Sequence, residues 1–208
     1  MKKQAKKEIW FYSEKVREHF FNPKNIFKSQ EEAKKYKADG IGMVGSPACG
    51  DMMKMWIKID KKKGVITECK YQTFGCASAI ATTSVLSEMV RGMKLEDAFK
   101  ITPKEIVDKL GGLPQVKYHC SVLGDRALRE AINDYYRKTD QIEKIVTDSP
   151  IVDETLKITE RDIENAIIDG ARTLKEVQEK TKVGVNSPKV LLRVEELIRK
   201  FKAKHQIR

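Results

Sequence analysis

The chain has few cysteines, no closely spaced pair of them, and no long apolar run, and each shortage removes a class of protein. Its four cysteines among 208 residues are Cys49, Cys69, Cys76 and Cys120. No two stand as C-x2-C, which excludes zinc knuckles and ribbons and a thioredoxin-type redox pair. No stretch approaches the roughly 20 apolar residues of a membrane helix. Behind the basic start Met1-Lys2-Lys3, the run Ile9 to Tyr12 is too short for a signal-peptide core. The expected setting is therefore cytoplasmic, with no membrane partner, and there thiols stay free or bind metal instead of forming structural disulfides.

Acidic residues are also in deficit: 41 Lys and Arg face 30 Asp and Glu, a net charge of +11 at pH 7. Most of the excess lies in residues 1–140, with 27 basic against 18 acidic, while residues 141–208 carry 14 against 12. The lysine runs, Lys2 to Lys7 and Lys61-Lys62-Lys63, are not interleaved with aromatics, and aromatics make up only 7% of the chain. Solvated surface or an acidic protein partner fits this dispersal better than nucleic acid does.

Three of the four cysteines stand in settings suited to exposed thiolate chemistry. Cys49 lies in Ser46-Pro47-Ala48-Cys49-Gly50-Asp51, Cys76 in Gly75-Cys76-Ala77-Ser78, and Cys120 follows His119. Glycine and small residues let backbone approach a bound atom, and Asp51 and His119 add an oxygen and a nitrogen donor. Cys49, Asp51, Cys76, His119 and Cys120 are thus a candidate metal site, although the gaps of 27 and 44 residues between its cysteines mean that only a fold can gather them. The alternative for each thiol is ordinary packing as a small hydrophobe.

Periodicity divides the chain. Trp10 to Phe21 reads as a helix with Phe11, Val16 and Phe20 on one face, stopped by Asn22-Pro23. Residues 24–39 are polar, a loop or weak helix. Met53, Met55, Ile57 and Ile59 then alternate with polar neighbours, and beyond the lysine turn Val65, Thr67, Cys69, Tyr71 and Thr73 do the same, predicting a β-hairpin with one covered face. Cys69 falls on that face and reads as core. Cys76 and Cys120 each stand at a helix start, the first before a helix carrying Ile80, Val85, Leu86, Met89 and Val90, the second before one running to about Tyr136. The positive end of the helix dipole favours a thiolate at such positions. Shorter helices are expected at Leu95 to Phe99 and, after Thr102-Pro103, at Ile106 to Leu110.

Four segments give the chain a family likeness. Tyr12-Ser13-Glu14-Lys15-Val16 with Asn22-Pro23, Gly42 to Asp51, Thr73 to Ala81, and Leu113-Pro114-Gln115-Val116-Lys117-Tyr118-His119-Cys120-Ser121 occur in order over residues 10–138. In these segments the chain resembles the IscU/NifU-type iron-sulfur cluster assembly scaffolds. The resemblance implies an α+β fold in which a three-stranded antiparallel sheet is packed with helices. It implies a non-enzymatic protein that accepts sulfur from a cysteine desulfurase, binds iron, holds a transient cluster, [2Fe-2S] before other types, and passes it to apo iron-sulfur proteins. Cys49, Cys76 and Cys120 would be its ligands, Asp51 would hold the release role and His119 would be an alternative ligand or proton donor. An oxygen or imidazole in the fourth place matches soft iron-sulfide chemistry poorly, which suits release. The same donors would also suit a zinc-binding structural module, the alternative reading. Where the family has Leu-Pro-Pro-Val-Lys, Gln115 replaces the second proline and restores an N–H, which leaves chaperone-assisted release in question; a homodimer also stays open.

Residues 151–208 read as a separate helical unit, all-α, behind a scaffold domain of residues 1–146 and a linker at Asp148-Ser149-Pro150. Thr159-Glu160-Arg161-Asp162 and Thr173-Leu174-Lys175-Glu176 look like capping boxes, and Ser187-Pro188 opens a third helix. This unit is similar to the bacterioferritin-associated-ferredoxin-like domain of NifU proteins. Aligned with it, the four cluster-cysteine positions hold Asp153, Thr155, Ser187 and Val190, so the resemblance implies a cluster-free unit.

Overall fold

A computed structural model describes residues 12–46, 51–114 and 117–207; for residue 46 and residues 118–121 it describes the backbone alone. Helix α1 (Glu14–Phe21) starts where the Ser13 hydroxyl accepts the Val16 N–H at 3.2 Å. Of its expected apolar face, Phe11 lies outside the described residues, Val16 is fully buried, and Phe20 is only half-buried. His19 takes the inward place, with Nδ1 2.8 Å from the Ser84 hydroxyl. The polar stretch that follows forms one short helix, α2 (Gln30–Lys35), capped by Ser29.

Strands β1 (Gly40–Ser46), β2 (Asp51–Asp60) and β3 (Val65–Phe74) form an antiparallel sheet in the order β1-β2-β3. Met53, Met55, Ile57 and Ile59 all face the core, as their period-two spacing predicts. On β3 the expected alternation fails at one point: Ile66 is buried and Thr67 exposed. A register shift between Lys58 and Ile59 sets Ile59 opposite Ile66, and the extra residue changes which side chains face inward on one side of the irregularity. Cys69 and Tyr71, beyond it, lie in the core as expected.

Two long helices cover the inner face. Helix α3 (Ala77–Met89) is buried almost all round, and Ser78, Thr82, Thr83, Ser84 and Ser87 are each fully inaccessible. Their burial is tolerable because hydroxyls bond to the preceding turn: Thr82 donates to the Ser78 carbonyl, Thr83 to that of Ala79 and Ser87 to that of Ser84, at 2.7–2.8 Å. Helices α4 (Leu95–Phe99) and α5 (Pro103–Lys109) close one side, α5 through a Thr102–Glu105 capping box. Helix α6 (Tyr118–Lys138) lies so close to β1 that a side chain on Gly40 or Gly42 would meet its backbone at Ala131 or Ala127.

A second hydrophobic cluster, centred on Ile158, Ile163, Ile167, Val177, Val194 and Phe201, belongs wholly to the C-terminal part. Helices α7 (Glu160–Ile168) and α8 (Leu174–Thr181) open with the two capping boxes read from the sequence. Ser187-Pro188 opens a 3-10 turn over 188–190 that runs directly into α9 (Leu191–Lys204). A short two-stranded sheet, β4 (Ile151–Asp153) with β5 (Ile158–Thr159), accompanies these helices, so the part is not purely helical; the strands are too short to show an alternation in the sequence. This part rests on β1, β2 and α6. Arg137 donates to both carboxylate oxygens of Asp162 (2.9 and 3.3 Å) and to the carbonyls of Leu156 and Lys157. Arg161 pairs with Asp148 (2.5 Å) and approaches buried Glu130 (3.7 Å), while Lys54 meets Asp169 at 3.3 Å. Among the described residues no helix is long and apolar enough to cross a membrane.

Candidate functional site

The sheet and its two long helices share one end, and the expected site residues with described positions lie there. Strand β3 runs into this end at Phe74, turns through Gly75, and Cys76 becomes the N-cap of α3. Across the sheet Phe74 pairs with Met52, and the neighbouring Asp51 pairs with Ser46, the last residue of β1. Asp51 is almost fully buried, and its carboxylate packs against Gly75: a Cβ placed on that glycine would lie 3.1 Å from Asp51 Cγ and 3.2 Å from Oδ1.

Helix α6 reaches the same end. As β1 advances from Gly40 to Gly42, its contacts on α6 step back from Ala131 to Ala127, so the helix start and the strand end point the same way. Four further strand residues span roughly 13 Å at about 3.3 Å each, and nine helix residues span about the same at 1.5 Å each. The backbone of the first turn of α6, which holds His119 and Cys120, therefore stands level with the Ser46–Asp51 pair. Cys49 lies outside the described residues, between Ser46 and Asp51 in the chain. Among the described residues no three His, Cys, Asp or Glu side chains are placed to hold a metal ion, and of the five candidates Asp51 and Cys76 alone have described side chains.

The electrostatics of this end are those of helix starts without caps. Among the described residues neither α3 nor α6 has a side-chain cap, and neither has an acidic residue in its first turn, so the positive dipole end of each favours an anion supplied by another element. Asp51 supplies a carboxylate there from a different element. Nearby, Ser78 donates to the Tyr12 hydroxyl at 3.1 Å, which ties the residue before the α1 cap to the first turn of α3, and the Ser13 hydroxyl donates to the carbonyl of Leu110 at the end of α5 at 2.5 Å. Phe74, 62% exposed, forms the rim. The sequence reading missed Tyr12 with Ser78, exposed Phe74 and the space at Gly75; none has a periodic signal.

Cys69 is a different thiol. It is 1% exposed within the main core, and burial pushes its pKa up to about 12, so it stays protonated and packs as a hydrophobe. In the C-terminal part, Asp153 is fully buried and its two oxygens accept the N–H groups of Thr155 (2.9 Å) and Gly184 (2.8 Å). A carboxylate thus ties together the two segments that hold Thr155 and, beyond Gly184, Ser187 and Val190.

Residues 11–142 match the family described as the NifU-like N terminal domain. That is well over half of the 208 residues, and the chain belongs to this family. The iron-sulfur cluster assembly scaffold protein IscU 1 of Archaeoglobus fulgidus is 50% identical over 134 residues, which are 64% of this chain and 82% of that protein. The scaffold protein IscU of Aquifex aeolicus is 44% identical over 133 residues, 64% of this chain and 81% of its own. The nitrogen fixation protein NifU of Nostoc is 45% identical over 127 residues, 61% of this chain and 42% of its own length.

Proposed function

We propose that this protein is an iron-sulfur cluster assembly scaffold, a carrier and not a catalyst. It accepts sulfur from a cysteine desulfurase and iron, holds a transient cluster, [2Fe-2S] first, and passes it to apo iron-sulfur proteins in the cytoplasm. Its ligands are Cys49, Cys76 and Cys120, with Asp51 tuning lability and His119 as alternative ligand or proton donor. The chain divides into a scaffold unit of residues 1–146 and a cluster-free unit of residues 151–208.

The observation that carries this reading is the placing of Asp51 against the Gly75-Cys76 corner, in a chain that is 50% identical over 134 residues to a named scaffold. Thiolates are the customary ligands of such clusters. A hard carboxylate beside them is a poor match for soft iron-sulfide, so it favours departure over permanent storage. The level position of the α6 first turn supports the same grouping, because it brings a second cysteine-bearing backbone segment to this end.

The test is anaerobic reconstitution with ferrous iron and sulfide. A scaffold gains visible absorption that disappears when Cys49, Cys76 and Cys120 are all replaced by serine; a zinc module stays colourless, and that result rejects the proposal. Asp51→Ala is expected to lengthen the life of the cluster and slow its transfer to an apo-ferredoxin, and unchanged transfer removes Asp51 from the release role.

A further inference from the structure

We infer that Gly75 is a positioning residue for Asp51: the missing side chain at residue 75 is the space that the Asp51 carboxylate fills, and this sets where the carboxylate stands relative to Cys76. The inference rests on the scaffold reading above and assigns a role within that site.

Glycine is required at residue 75 by volume and not by backbone conformation. The glycines with left-handed φ among the described residues are Gly64, Gly92, Gly111, Gly112, Gly170 and Gly184, and Gly75 is not one of them. An alanine could take the Gly75 backbone angles, yet its Cβ would sit 3.1 Å from Asp51 Cγ, 3.2 Å from Asp51 Oδ1 and 2.9 Å from Ala79 Cβ. Real carbon contacts are longer, at about 3.5–4.0 Å, so either the carboxylate or the first turn of α3 must yield.

The position is sensitive because of what surrounds it. Gly75 is the single residue between the end of β3 and Cys76, the N-cap of α3. The first turn of α3 has no acidic residue of its own, and the carboxylate that lies against Gly75, one residue before the N-cap, comes from β2. Asp51 is 7% exposed, so a carboxylate pushed out of the gap cannot simply relax into water without leaving its place. Moving it changes the donor geometry at Cys76 while leaving every cysteine intact.

The two contacts can be separated. In Gly75→Ala/Ala79→Gly the second substitution removes the Ala79 methyl group, so the closest contacts left to the new Cβ are those with Asp51; Ala79→Gly by itself is the control. The paired variant is expected to shift cluster transfer in the same direction as Asp51→Ala, by a factor of about 3 or more, the size of coupling seen between touching residues. In an Asp51→Ala background the same pair is expected to change nothing further. Equal fold-changes in both backgrounds, or no change in either, would overturn the inference.

A second readout needs no cluster. The Asp51 carboxyl carbon resonance, assigned by its loss in Asp51→Ala, should move in the paired variant and not in Ala79→Gly; a stationary resonance rejects the inference. If the paired variant fails to fold, adding Asp51→Ala should restore folding by making room for the new methyl group, and failure to restore it is equally decisive. Wild-type protein that builds no cluster under reconstitution defeats the proposed function, whereas the resonance and the rescue still decide the role of Gly75.

Discussion

Two regions of this molecule, the starts of α7 and α8 in the C-terminal part and the starts of α3 and α6 at the site end of the sheet, meet the demands of their helix ends in opposite ways. In the C-terminal part, α7 and α8 each open with a reciprocal threonine–carboxylate capping box, and Asp153 ties two distant segments through their backbone N–H groups. Its polar groups answer one another. At the site end of the sheet, α3 and α6 open without a side-chain cap or an acidic first turn. Glycine stands where close approach is needed, at Gly40, Gly42 and Gly75. The lesson is that the starts of α7 and α8 are met by side chains of their own first turn, while the start of α3 is met by a carboxylate from a different element.

The sharpest way to break this contrast is to exchange the demands. Cys76→Ser is expected to abolish the stable visible cluster after reconstitution while the thermal midpoint stays nearly unchanged. Parallel loss of folding would show that the thiol is structural instead. Next in size comes the junction between the parts. Arg137 and Asp162 are both largely buried, with side chains 14% and 13% exposed. Arg137→Ala removes the arginine from Asp162, which keeps its bonds to Thr159, and should cost about 3 kcal/mol in chemical denaturation, the low end for breaking a buried pair. If the free energy does not change, the ion pair is not what seats the second part.

Asp153→Ala should cost about 2–3 kcal/mol, since hydrogen bonds to a buried charged group are worth about that much. Cluster yield should not change, and a loss of colour without a loss of stability would contradict the division of labour. A pH experiment probes the junction more finely. Burial, helped by the charge of Asp162 and opposed by Arg137 and Arg161, lifts Glu130 from its ordinary 4.5 to about 8. A folded pKa above the unfolded one means that the native chain keeps a proton the unfolded chain releases, so this group weakens folding as pH rises from about 4.5 to 8. Glu130→Gln removes that dependence. Its thermal midpoint relative to wild type should therefore climb between pH 5 and pH 8, and parallel curves would refute the assignment. The smallest effect expected is for Thr173→Ala, which deletes one exposed capping box at a cost of about 1 kcal/mol.

Much of the architecture was legible because its causes are local. The period-two run Met53 to Ile59, the capping threonines at residues 159 and 173, and the helix starts at Cys76 and near Cys120 all depend on residues within a few positions of one another. The failures are equally particular. Thr67 was expected inside and Ile66 is there, because Thr67 is the unpaired extra residue of an irregularity on β3, and nothing in the alternating pattern marks where such a residue falls. The serines and threonines of α3 carry no apolar signal and are buried all the same, because Thr82, Thr83 and Ser87 bond within the helix while Ser78 and Ser84 bond Tyr12 and His19. His19 displaces Phe20 because Ser84, 65 residues away, offers it a partner. Asp51 and Cys76 were named as candidates, but nothing local revealed that Gly75 is the gap between them.

By itself the amino-acid order determined the elements, the family and the kinds of donor atom available, since propensity, capping and motif are short-range properties of a chain. Only the three-dimensional packing decided that a carboxylate from one strand would occupy the volume missing from another, that Glu130 would be buried among arginines, and that the second part would seat on β1, β2 and α6. Those outcomes come from long-range steric exclusion and desolvation, and both act between residues that the sequence keeps far apart.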